Sequence, residues 1–216
     1  MMLFNLIVPL AIKSDNKLLR MIFTEFSEYI GDNVELIFEY SDRAIFKESK
    51  GQPTSFDLAI ISDSNRPILF ESKLVETNFG GCSVIENGDC DGLNPSNKIT
   101  DCYLHNIGRT YWELMIKYNA DVSYKHDKTC PLAIYYQFFR EVLLAKEKNG
   151  IFCLIYDERN PAFVRENGRG LYNILRNSLP DYLKEITYKI TIQEIVKRMK
   201  DEKLNWIDEF SMKYGM

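Results

Sequence analysis

Between Ser55 and Val75 the sequence reads SFDLAIISDSNRPILFESKLV, two apolar runs joined by the polar cluster Asp63-Ser64-Asn65-Arg66. Runs of this length, rich in Ile, Leu and Phe and bounded by turn formers, predict two strands of an antiparallel hairpin, Ser55 to Ser62 and Pro67 to Val75. Three ionisable residues interrupt the apolar pattern: Asp57 in the first run, Glu71 and Lys73 in the second. Side chains alternate faces along a strand, so Glu71 and Lys73 point the same way. With the turn centred on Ser64, pairing sets position 57 directly opposite position 71, where Cβ atoms are roughly 5 Å apart. Gathering three such groups in an apolar hairpin costs free energy unless something is gained.

Two carboxylates side by side repel each other, and one is pushed toward protonation. A divalent cation removes the conflict. Mg²⁺ takes one or two carboxylates together with water and phosphate oxygens, which an Asp57–Glu71 pair can accommodate. Lys73 beside the cation is suited to orient or deprotonate an attacking water.

The flanking sequence predicts an α/β fold with a central mixed sheet. Ser14-Asp15-Asn16 offers N-caps for a helix reaching about Ile30, with Leu19, Ile22, Phe23, Phe26 and Ile30 on its apolar side. Val34 to Tyr40 reads as a strand. Gly80 to Asn97 is a loop rich in Gly, Asn and Asp, and Asn97 to Tyr118 turns helical. Cys130-Pro131 opens another helix, closed by Gly150. Ile151 to Tyr156 suits a buried strand, and one more is expected near Ile186 to Ile192. The apolar Met1 to Ile12 lacks the features of a secretory signal and is too short to span a bilayer, so it reads as a buried strand or docked arm. A chain of 216 residues is expected to be one domain, with a cysteine-containing insertion at about 77–130.

Asp57, a spacer of 13 residues, and then Glu71-Ser72-Lys73 resembles the D…ExK signature of the PD-(D/E)XK, or restriction-endonuclease-like, superfamily. The predicted order of helix, three-stranded meander, helix and strand is similar to that superfamily's core. The resemblance covers roughly Ser14 to Asp157. It implies a restriction-endonuclease-like α/β/α sandwich and phosphodiester hydrolysis, with Mg²⁺ (or Mn²⁺) held by Asp57 and Glu71 and Lys73 at the attacking water. Phe56 stands where the family name has Pro. A second ExK, Glu48-Ser49-Lys50, lies in a charged loop with no suitably spaced acid upstream and is rejected.

Nucleases of this kind often add an acid from the first core helix, and Glu25 lies at the border of that helix's apolar stripe. On the helix after Pro131, Gln137 and Arg140 share a face outside the stripe and are candidates to touch a phosphate or the attacking water. Glu25 and Gln137 therefore join Asp57, Glu71 and Lys73 as candidate catalytic residues. Cys82, Cys90, Cys102 and Cys130 leave a zinc or iron–sulfur site open, but compact CxxC pairs are absent. Exonucleases of the superfamily that carry a four-cysteine cluster place one cysteine far upstream and the rest near the end, a layout this chain lacks. Cys153 lies within an apolar run and reads as core, and reduced thiols are expected throughout. His105 and His126 stand in no catalytic motif.

The net charge of −4 counts against non-specific phosphate binding over the whole surface, though local field rather than net charge steers a ligand into a cleft. The reading is a cytoplasmic, metal-dependent nuclease acting on DNA in restriction, repair or defence, as a monomer or homodimer with no membrane partner. Two alternatives stay open: a catalytically inactive nucleic-acid-binding module of the same fold, and a cysteine-ligated metalloprotein.

Overall fold

The computed structural model describes residues 2–13, 16–63, 66–165 and 169–216. Five strands form one sheet in sequence order: β1 (Val34–Ser41), β2 (Ser55–Ser62), β3 (Ile68–Lys73), β4 (Ile151–Tyr156) and β5 (Thr187–Thr191). The first three run antiparallel as a meander, while β3, β4 and β5 are parallel. The sheet is therefore mixed, and β3 lies at its centre. The parallel step from β3 to β4 needs a long connection, and α6 (Pro131–Glu147) is its longest element.

Helices cover both faces. Alternation along the central strands sorts the core into two clusters. Leu69, Phe152 and Leu154 pack with α5 (Tyr111–Lys117), α6, α7 (Leu171–Ser178) and α8 (Asp181–Lys184). Ile68, Phe70 and Cys153 pack with α1 (Met2–Lys13), α2 (Asn16–Ile22), α9 (Ile192–Asp201) and α10 (Ile207–Tyr214). Every residue of β4 is buried, as its unbroken apolar run requires.

The N-terminal segment is a helix, not a strand. Leu3, Leu6, Ile7 and Leu10 are buried at helical spacing, and the one polar side chain among them, Asn5, donates to the Tyr214 hydroxyl at 2.8 Å. A short continuous apolar run has no period to separate the two readings. The helix expected up to Ile30 breaks at Phe23 (φ −106°, ψ 60°) and continues as a 3₁₀ turn over Thr24–Tyr29. Its expected caps Ser14 and Asp15, and the turn residues Ser64 and Asn65, lie outside the described residues.

The helical stretch expected from Asn97 to Tyr118 divides into a 3₁₀ turn (Ile99–Asp101), α4 (Tyr103–Asn106) and α5. Gly108, with φ +87°, separates the last two. With α3 (Ser83–Glu86) these short elements fill the stretch between β3 and α6. At the end of α6 the left-handed position is taken by Asn149 (φ 53°), not Gly150. Gly150 is required for another reason: a Cβ there would meet the Pro67 carbonyl oxygen at 2.7 Å.

Candidate active site

The pairing of β2 with β3 sets Leu58 opposite Phe70, Ala59 opposite Leu69 and Ile60 opposite Ile68. Continued by one residue, this register brings position 57 opposite position 71. Asp57 accepts hydrogen bonds at Oδ2 from the Ser72 amide (2.7 Å) and the Ser72 hydroxyl (2.5 Å), which tie its carboxylate to β3. Glu71 and Lys73 share the face of Leu69, the α6 side of the sheet. On β4 their neighbours are Leu154 and Tyr156.

Apolar neighbours explain the electrostatics. Glu71 is 5% exposed and Lys73 8%, and Lys73 Nζ lies 3.1 Å from Glu71 Oε1. The same oxygen accepts from Gln137 Nε2 on α6 at 2.6 Å. Burial, followed by the nearby charge of Asp57, pushes Glu71 up to about 7 against the opposing effects of Lys73 and Gln137. Asp57, Glu71, Lys73 and Gln137 are thus brought together from β2, β3 and α6. Among the described residues only Oδ2 of Asp57 and Oε1 of Glu71 accept hydrogen bonds, so each carboxylate keeps one oxygen for a further partner.

Both carboxylates line a cleft of about 420 Å³, together with Ser72, Glu76, Asp157 and Arg159. Asp157, the residue after β4, is held down to about 2 by the Arg159 guanidinium, which contacts both its oxygens. Arg159 is thereby fixed at the cleft wall, and Gln193 donates to Asp157 Oδ1 at 2.8 Å.

Glu25 does not join this group. It lies in the 3₁₀ turn whose Phe26 packs on Phe70, on the opposite layer of the sheet. Its carboxylate is taken up by Arg198 of α9 in a two-pronged pair at 2.8 and 2.6 Å. A helical wheel places Glu25 relative to its own helix but carries no information on which face of the sheet that helix covers. Arg140 is engaged as well, donating to Glu48 Oε1 (2.8 Å) and the Thr54 hydroxyl (2.7 Å). Glu48, from the rejected ExK, is a buried structural acid that also accepts from the Thr54 amide and the Tyr111 hydroxyl.

Sequence reasoning missed Glu141. It lies one helical turn beyond Gln137 on α6 and is 0% exposed, with neither carboxyl oxygen hydrogen-bonded among the described residues. Burial, then the charge of Glu71, pushes its carboxyl well above the usual range. The i, i+4 relation to Gln137 was the available signal.

Cys82, Cys90, Cys102 and Cys130 converge from separate turns on one narrow cavity of about 20 Å³, and all are free thiols. Among the described residues no group of three or more His, Cys, Asp or Glu is arranged to hold a metal ion. Cys153 is fully buried in β4. His105 contacts Glu113 at 2.9 Å. Among the described residues no helix is long and apolar enough to cross a membrane.

A family model described as Restriction Endonuclease associating with ARP matches residues 1–215. No curated protein and no solved structure matches the chain.

Proposed function

The chain belongs to the family of restriction endonucleases associating with ARP, and from that premise we propose that it is a metal-dependent nuclease of the PD-(D/E)XK type. It hydrolyses phosphodiester bonds of DNA at a centre formed by Asp57, Glu71 and Lys73. The observation that carries this reading is the buried Glu71 carboxylate, opposite Asp57 in register and bonded to Lys73 and Gln137.

The donor set fits a hard divalent cation such as Mg²⁺ or Mn²⁺. Two oxygen ligands at the wall of an open cleft leave room for water and substrate, which is the coordination Mg²⁺ favours. Burial and then the repulsion from Asp57 raise Glu71, and a cation between the two carboxylates would relieve that repulsion. Held by Asp57 and Glu71, the ion would neutralise charge on the scissile phosphate and make an attacking water more acidic.

The remaining work falls to the chain's own groups. Ser72 fixes Asp57 through two hydrogen bonds, and Gln137 fixes Glu71 through one. Lys73, two residues along the same strand face, orients the attacking water, whose proton leaves to the solvent of the cleft as the oxygen bonds to phosphorus. As the P–O bond to the leaving strand breaks, charge develops on the phosphate oxygens, and the Lys73 ammonium is placed to stabilise it.

Cleavage of plasmid, linear duplex and single-stranded DNA, each in Mg²⁺, Mn²⁺ or EDTA, tests the proposal with Glu71→Ala as control. Cutting that needs the metal and disappears in the variant is the expected result. Full metal-dependent cutting by Glu71→Ala would overturn the assignment.

A further inference from the structure

Glu71 and Gln137 stand between two cavities. The cleft described above lies on one side. On the other, a second cavity of about 450 Å³ opens between the 48–55 loop, the α4–α5 turn and α6, with Thr54, Arg109, Tyr136, Gln137, Arg140 and Glu141 among its walls. Its volume is within the range of small-molecule sites, roughly 300–1,000 Å³.

Hydrogen bonds tie the walls to one another. Buried Glu48 ties the loop to both helices, accepting from Thr54, Tyr111 and Arg140. The Arg140 guanidinium is thereby laid over the Tyr136 ring, 4.4 Å from its centroid, which forms a flat surface of aromatic and cationic character. At the inner wall stands Glu141. Glu48 and Glu71, the other buried glutamates among the described residues, are both hydrogen-bonded, whereas neither Glu141 carboxyl oxygen has a donor within hydrogen-bond geometry there, although Gln137, Lys73 and Arg140 lie near enough to favour its charged form. A buried polar group left unbonded lowers stability, so its retention beside a cavity points to a partner that arrives with a ligand.

We propose that this cavity receives one unstacked nucleotide of the strand being cut. Its base lies flat against the Tyr136–Arg140 surface, and its hydrogen-bonding edge meets Glu141. The chemistry matches: a flat ring with donors and acceptors suits a stacking wall and a carboxyl with two unused oxygens. The proposal rests on the nuclease reading, and it deepens that reading by naming the substrate class. Unstacking is cheapest at ends, mismatches and single strands, so these are the preferred substrates.

The test is equilibrium binding of the four deoxynucleoside 5′-monophosphates in EDTA, beside cleavage in Mg²⁺. At least one nucleotide should bind at one per chain. Glu141→Leu should weaken it by about tenfold or more, the loss of one hydrogen-bonded anchor, and Glu141→Gln should weaken it less. Ser83 is exposed at the cavity wall, so Ser83→Trp fills the space without touching the core and should weaken binding equally. Glu71→Gln should lose cleavage and keep nucleotide binding. Metal-dependent cleavage by a protein that binds no nucleotide, or that binds it unchanged in Glu141→Leu and Ser83→Trp, overturns the pocket alone. Binding that is sensitive to both variants, in a protein that cuts no substrate, supports the pocket and overturns the nuclease reading instead.

Discussion

Gln137 Nε2 lies 2.6 Å from Glu71 Oε1, joining a helix side chain to a strand 66 residues away in sequence. The bond holds one oxygen of Glu71 and favours its ionised form. In Gln137→Leu that support is lost, and the Glu71 carboxyl rises further. The acid limb of the pH–rate profile should therefore move to higher pH, and cleavage at pH 7 should fall by about tenfold to a hundredfold. An unmoved acid limb would show that Glu71 ionisation does not control the rate.

Glu71 also links stability to pH. Its carboxyl stands at about 7 in the folded chain against an ordinary 4.5. The folded state thus holds this proton more tightly than the unfolded state. The resulting stabilisation is complete below pH 4.5 and is lost as pH rises through 7. Measured in EDTA by urea unfolding, wild type should lose roughly 1–3 kcal/mol relative to Glu71→Gln over that interval. Saturating Mg²⁺ should shrink the difference, because a bound cation compensates the charge.

Glu141→Leu should stabilise the protein. The substitution removes an acid that is fully buried and unbonded and leaves a side chain of similar bulk. A gain of about 1–3 kcal/mol at pH 7 is expected, read as a higher urea midpoint at unchanged slope. A lower midpoint would mean that the carboxyl has a stabilising partner in solution.

Glu25 separates structure from catalysis. Its pair with Arg198 is about one-third exposed, so screening limits its worth, and Glu25→Gln should change stability by less than about 1 kcal/mol. Because it lies on the opposite layer from Glu71, cleavage rates should stay within about twofold of wild type. A loss of activity comparable to that in Glu71→Ala would place Glu25 in the catalytic machinery after all.

The hairpin that carries Asp57, Glu71 and Lys73 was legible because strand side chains alternate with period two. A turn centre then dictates which residues oppose each other, and the observed register of Leu58 with Phe70 follows that arithmetic. The β4 strand was legible from its unbroken apolar run, and the start of α6 from Pro131. The N-terminal helix was not, because a continuous apolar run has no period to read.

Relations between elements were decided by the tertiary structure alone. Which face of the sheet each helix covers depends on chain crossings that no local pattern encodes. That choice placed Gln137 on Glu71 and turned Glu25 away toward Arg198. The same packing buried Glu48 and Glu141 with opposite outcomes: both oxygens of Glu48 accept hydrogen bonds, and among the described residues neither oxygen of Glu141 does. It also drew four cysteines from separate turns to one cavity. Sequence carries the short-range geometry of strands and turns, whereas burial and long-range contact are properties of the assembled core. The ionisation of Glu71 belongs to the second kind, since it is set by the apolar strands and helix packed around it.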